Sequence, residues 1–168
     1  MALTLVRHTT PAVAAGTCYG RTDLALADSF EDEADRVLQT LPSATVVLTS
    51  PLQRCTRLAR RISDHAELEL RPSSGWIEMD FGAWEGVPWA DIPRDSLDAW
   101  AADFDHFNDH GGESVAMLER RVRAALTAAP PNAIVVTHAG CIKAACAIYG
   151  LHQGWNTETV FGGSVTLD

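Results

Sequence analysis

The sequence predicts an α/β fold: a three-layer sandwich with a mostly parallel central sheet and helices on both faces. Three observations predict it. Short continuous apolar runs, rich in β-branched residues, occur at Ala2–Val6 (ALTLV), Ala44–Leu48 (ATVVL) and Ala133–Val136 (AIVV), as expected of strands buried on both faces. Segments with apolar residues at helical spacing lie between these runs. Strand and helix patterns alternate along the chain.

Taken in order, Ala2–Val6 opens the sheet, and the spacing of Phe30, Ala34, Val37, Leu38 and Leu41 predicts a helix over Phe30–Leu41. Ala44–Leu48 is the second strand. Ser50 then reads as an N-cap, with Pro51 at the first helical position and Gln53 completing a capping box. Leu52, Cys55, Leu58, Ala59 and Ile62 form the apolar stripe of that helix. Glu67–Arg71 (ELELR) alternates, which suits an edge strand. Residues Gly75–Asp109 are rich in Trp, Asp and Gly and read as an excursion over the strand ends, with one short helix near Ser96–Phe104. Val115, Leu118, Val122, Ala125 and Leu126 predict a helix stopped by Pro130 and Pro131. Ala139–Tyr149 predicts another, with Gly150 just past its end. Val160–Leu167 is the expected last strand, bent at Gly162 and Gly163.

The 168 residues suit a single domain, 1–168, with no internal repeat or linker. Hydrophobic residues make up 46% and charged residues 21% of the chain, the balance of a soluble globular protein. No apolar run is long enough to span a bilayer, and the N-terminus lacks a signal-peptide pattern. The expected location is therefore cytoplasmic, with no membrane partner. A formal net charge of −9 argues against nucleic acid as a partner. The sequence does not show the oligomeric state and is compatible with a homodimer. Of the thirteen basic residues only Lys143 is a lysine, and arginine is the better bidentate partner for phosphate or carboxylate. Cys18, Cys55, Cys141 and Cys146 show no zinc spacing, so a disulfide framework or metal centre is not expected. Cys55, Cys141 and Cys146 fall in apolar helical patterns and read as small core side chains.

Three strand tips carry the residues that could do chemistry. Arg7-His8 follows the first strand, Thr49-Ser50-Pro51-Leu52-Gln53-Arg54 the second, and Thr137-His138-Ala139-Gly140 the AIVV strand. Parallel sheets bind ligands beyond the carboxyl ends of their strands. Arg54 falls in the first turn of a helix, where the macrodipole disfavours a cation unless an anion is bound there. It could equally be a solvent-facing surface arginine. His8 and His138 supply imidazoles able to attack phosphorus or to donate a proton. Together with Arg7 and Arg54 they form a set suited to phosphoryl transfer. A general acid is also needed, and Trp76–Gly86 (WIEMDFGAWEG) offers Glu78, Asp80 and Glu85. Glu78, flanked by Ile77 and Met79, best fits a carboxyl raised by apolar surroundings. Spacing alone does not choose among the three.

LVRHTTP, TSPLQR, IEMDFGAWEG, GGES and VVTHAG occur here in the order typical of the histidine phosphatase, or phosphoglycerate mutase-like, superfamily. The chain resembles that family from about Leu3 to its last strand. Within it, RHTTP followed by Thr17–Leu24 (TCYGRTDL) resembles the α-ribazole phosphatase branch of cobalamin biosynthesis, where Thr9 and Thr10 replace the commoner Gly and acidic residue. The resemblance implies a phosphoglycerate mutase-like fold. It implies removal of the 5′-phosphate from α-ribazole 5′-phosphate or adenosylcobalamin 5′-phosphate, a small phosphorylated substrate, without metal or cofactor. It also implies that His8 becomes phosphohistidine, that Arg7 and Arg54 grip phosphate oxygens, that His138 donates to the phosphoryl group, and that Glu78 is the proton donor. The lid is short, so mutase activity, which must keep water out, is less expected.

Further positions carry weaker readings. Thr10, Tyr19, Arg21, Glu113 and Ala139 are candidate substrate contacts, although a loop role serves Tyr19 and Arg21 as well and a helix-dipole role serves Glu113. Trp76, Trp84, Trp89 and Trp100 could stack on an aromatic ring or simply pack the lid. His106 and His110, four apart, read as a solvated pair rather than ligands. The competing functions are a broad-specificity phosphatase acting on sugar phosphates or phosphoproteins, and a catalytically silent phosphate-binding module.

Overall fold

Chain entry and exit at the sheet determine where the functional groups come together. The computed structural model describes residues 2–151 and 153–168. Its strands are β1 (Leu3–Arg7), β2 (Val46–Thr49), β3 (Leu70–Pro72), β4 (Ala133–Thr137) and β5 (Ser164–Leu167). They form one sheet in the order β3-β2-β4-β1-β5. β1, β4, β2 and β3 are parallel, and β5 runs antiparallel along the edge beside β1. The expected α/β architecture with a mostly parallel sheet is the one observed.

Alternate residues of the strands supply two cores, as period-2 side-chain geometry requires. Leu5, Val46, Leu48, Ala133 and Val135 face α4 (Val115–Ala128) and α5 (Ala139–Tyr149). Val6, Val47, Ile134 and Val136 face α1 (Phe30–Leu38) and α2 (Gln53–Ala66). The remaining helix, α3 (Arg94–Ala102), lies in the excursion. There Trp84, Ile92, Phe107 and Cys18 make a third, smaller core that gives this loop-rich region its own packing. All four cysteines are free and buried.

Several element boundaries depart from the sequence expectation. α1 stops at Leu38 rather than Leu41, because Leu41 precedes Pro42 and is pushed out of helical geometry. β3 begins at Leu70, because Glu67 is the left-handed C-cap of α2 (φ 53°) and cannot be extended. β5 begins at Ser164, and Gly162 and Gly163 instead bond back to Arg7 and His8 at the end of β1. Ser50 does not cap α2. The helix starts at Gln53, whose N–H donates to the Asp23 carboxylate at 2.8 Å. Its side-chain amide is spent on the Asp23 carbonyl, so the capping box is absent.

Candidate active site

The three strand tips lie side by side because β1, β4 and β2 are neighbours. Arg7 is paired with Thr137, and Thr49 with Val136. The ladder continues one step further: the N–H of His8 donates to Thr137 O at 3.0 Å, and that of Ser50 to Val136 O at 3.0 Å. His8, Ser50 and His138 thus leave the sheet in register. The ring centroids of His8 and His138 are 5.2 Å apart, edge to face.

His8 is 2% exposed. Its Nδ1 lies 2.7 Å from the Thr9 carbonyl. A carbonyl can only accept, so Nδ1 carries the proton and Nε2 keeps a lone pair. Burial pushes the pKa of His8 down to about 3, against the Thr9 hydrogen bond, and the positive charges of Arg54 and Arg7 lower it further. The imidazole is neutral at physiological pH, which is what a nitrogen nucleophile needs. His138 is fully buried and also held neutral, first by burial and then by His8 and Arg54. Its Nε2 lies 2.7 Å from Ser50 Oγ, which is what Ser50 does in place of capping.

Arg54 is 0% exposed, which excludes the surface reading. Its two terminal nitrogens donate to the carbonyls of Thr22 (2.7 Å) and Gly20 (2.6 Å), and its guanidinium lies over the Tyr19 ring. Arg7 donates to Thr159 O at 2.7 Å and lies 4.0 Å from the centroid of Phe161. The Nε atoms of both arginines are buried without a hydrogen-bond partner among the described residues. Buried donors of this kind need acceptors, and phosphate oxygens would supply them.

Glu78 is 8% exposed and lies across from these cations. Burial raises its carboxyl pKa, against N–H donation from Met79 (2.8 Å) and Gly140 (3.0 Å) and the charges of Arg54 and Arg7. A Cβ at Gly140 would overlap the Glu78 carboxylate, so the carboxylate keeps this position only beside a glycine. The other two candidate acids are committed elsewhere. Asp80 accepts from the Gly82 N–H at 2.8 Å. Glu85 is pushed up by burial, but donors from Thr22, Gly20, Arg21 and Phe81 together hold it below the ordinary carboxylate range.

A cavity of about 460 Å³ opens above this group. Arg7, His8, Tyr19, Glu78, Ala139 and Gly140 form its polar end; Met79, Phe81, Trp89, Trp100, Phe104 and Trp155 supply its apolar wall. Arg54 and His138, both fully buried, are not exposed to the cavity before a ligand enters it. Trp89 and Trp100 are stacked 6.0 Å apart and face the cavity, whereas Trp76 and Trp84 are buried in the cores. Phe81, Phe104 and Trp155 were not among the expected wall residues; Trp155 lies far from the excursion in sequence, and nothing local marks it. Thr10, Arg21 and Glu113 lie outside the cavity wall. The Thr10 N–H donates to Glu33, and Glu113 is bound by Arg121 and Arg21 and accepts from the Asp80 N–H. His106 and His110 do not share a helix, since α3 ends at Ala102. His106 is exposed, but His110 is buried against Trp84, which corrects the solvated-pair reading. No cluster of three or more metal-ligating side chains occurs among the described residues, and no helix there is long and apolar enough to cross a membrane.

Comparison with known proteins adds a family. Residues 3–164 match the model of the histidine phosphatase superfamily (branch 1). The chain is similar to the TTHB049 protein of Thermus thermophilus, with 30% identity and a TM-score of 0.82 over 100% of this chain and 94% of that one. It is similar to a phosphoglycerate mutase of the same organism, at 30% identity and a TM-score of 0.82 over 100% and 93%. Mycobacterial glucosyl-3-phosphoglycerate phosphatase Rv2419c shares the fold, with a TM-score of 0.83 over 99% and 89% at 22% identity. No curated protein matches the chain.

Proposed function

The chain belongs to the histidine phosphatase superfamily (branch 1), and from that premise we propose that it hydrolyses a phosphomonoester through a phosphohistidine on His8. The observation that carries this reading is the setting of His8: a neutral ring, tied at Nδ1, with Nε2 free beside the buried Arg54 and the half-buried Arg7.

Two steps follow. Nε2 of His8 attacks phosphorus while the Glu78 carboxyl protonates the leaving oxygen. Arg7 and Arg54 offset the charge on the equatorial oxygens, and the neutral His138 ring donates a hydrogen bond to them. Glu78, now ionised, takes a proton from the water that attacks phosphorus; the P–Nε2 bond breaks, orthophosphate leaves, and His8 and Glu78 return to their starting states.

For the substrate we propose α-ribazole 5′-phosphate, or adenosylcobalamin 5′-phosphate. The RHTTP and TCYGRTDL segments support it. So does the aromatic wall: the stacked Trp89–Trp100 pair offers a flat apolar body a place to lie while its phosphate meets His8. The test is a panel of α-ribazole 5′-phosphate, small sugar phosphates, 3-phosphoglycerate and a phosphopeptide. α-Ribazole 5′-phosphate is expected to lead in kcat/KM, and similar values across the panel would instead mark a broad-specificity phosphatase. Rapid quench with radiolabelled substrate is expected to trap an acid-labile phosphoenzyme that His8→Ala lacks. Failure to trap it, together with undiminished turnover by His8→Ala, would reject the mechanism.

A further inference from the structure

Glu85 takes no part in the two steps above, yet five donors converge on its carboxylate. They are the N–H groups of Gly20 (2.9 Å), Arg21 (2.8 Å), Thr22 (3.4 Å) and Phe81 (3.2 Å) and the Thr22 hydroxyl (2.6 Å). Four of the five come from the three-residue strap Gly20–Thr22. The N–H groups of that strap turn toward Glu85, while the carbonyls of Gly20 and Thr22 turn toward Arg54 and accept from its guanidinium. A carboxylate and a guanidinium thus grip the Gly20–Arg21 peptide from opposite sides, one at its N–H and the other at its carbonyl. Each charge polarises that peptide so as to strengthen the hydrogen bond of the other. The strap has no slack. A Cβ at Gly20 would collide with the Met79 carbonyl, and the next residue, Asp23, binds the N–H of Gln53, the neighbour of Arg54.

We propose that Glu85 is the positioning residue for Arg54: through the Gly20–Thr22 strap it sets the guanidinium so that its unpartnered N–H faces the transferred phosphoryl group. This rests on the reading above, in which Arg54 binds that phosphoryl group. Two guanidinium nitrogens are committed to the strap, so its orientation is that of the strap. Without the carboxylate, three strap N–H groups lose their acceptor and the carbonyls that aim Arg54 are free to turn.

The test is a double-mutant cycle read as inhibition by orthophosphate. Glu85→Gln keeps the side-chain shape and is expected to raise the orthophosphate inhibition constant about tenfold, since small misplacements of a binding group lose factors of this order or more. On an Arg54→Ala background it is expected to add nothing, because a residue that acts only through another has no effect once the other is gone. Thr22→Val, at an exposed position, removes a single strut and is expected to give a smaller rise, about threefold. It replaces Glu85→Gln in the cycle if that variant is unfolded at the assay temperature. An unchanged constant in both strap variants, or the same fold-change with and without Arg54, would overturn the proposal. An unchanged constant in folded Arg54→Ala itself would overturn the phosphoryl-binding reading, and the positioning role with it.

Discussion

At the scale of single residues, the proposed mechanism depends on two groups whose protonation is set before substrate arrives. His8 must be neutral, and burial ensures it with a wide margin. Glu78 must be protonated for the first step, and here opposing effects are closer. Burial and the apolar neighbour Met79 favour the acid, while two backbone N–H groups and two arginines favour the carboxylate; burial wins, and the pKa rises. The consequence is an alkaline limb: kcat/KM for an alkyl phosphate falls as pH rises through the Glu78 pKa, above the ordinary carboxylate range. Glu78→Gln is expected to abolish that limb and to slow alkyl phosphates about a hundredfold or more. It should barely affect aryl phosphates whose phenolates leave without a proton. Paired pH–rate profiles on the two leaving-group classes check this, and a limb that survives in the variant would assign the proton to another group.

At the scale of elements, α2 shows what a sequence reveals and what it hides. Its apolar stripe, Cys55, Leu58, Ala59 and Ile62, is buried as its spacing indicates. Its N-terminus is not readable locally. The capping acceptor is Asp23, thirty residues earlier, so the nearest plausible residue, Ser50, drew the assignment while its hydroxyl in fact serves His138. The same limit applies to Glu85, whose carboxylate looks like one of three candidate acids until the strap it binds is seen. By contrast Arg7, His8 and His138 were legible, because the parallel sheet alone requires neighbouring strand tips to meet. The other end of α2 carries a stability prediction. Glu67 closes the helix in the left-handed region at φ 53°, a conformation that L residues with a Cβ resist by about 1–2 kcal/mol. Glycine relieves that strain but loses more freedom on folding, by about 0.5–1 kcal/mol. Glu67→Gly is therefore expected to stabilise the fold by about 0.5–1 kcal/mol, seen as a higher midpoint in urea with an unchanged slope. A lower midpoint would mean that the exposed Glu67 side chain contributes more than its backbone strain subtracts.

At the scale of the whole molecule, the fold gathers buried ionisable groups in one place, and its stability must depend on their protons. The sheet and its two cores follow from strand periodicity, so that much was open to reading; the aromatic wall was only partly so, because Trp155 reaches the cavity from the far end of the chain. Unfolding exposes His8 and His138, whose folded pKa values are depressed, and Glu78, whose folded pKa is raised. Between pH 6.5 and 4.5 His8 and His138 each gain a proton on unfolding, and His110, whose pKa burial also depresses, adds to the uptake. Glu78, where it is protonated in the folded state, loses one and offsets part of that uptake. The unfolded chain then binds more protons than the folded one, so stability falls as the solution is acidified. The slope is on the order of 1 kcal/mol per pH unit. Glu33, Glu85 and Glu113, held below their ordinary range, extend the loss further below pH 4.5. His8→Asn removes one of these histidine protons, so the net uptake over the window falls by one. Thermal unfolding at pH 7 and pH 5 is expected to show a marked drop in Tm for the wild type and a smaller one for the variant. Equal drops in the two proteins would mean that His8 is not held neutral in the folded state, and a nucleophile that must first lose a proton could not act as described.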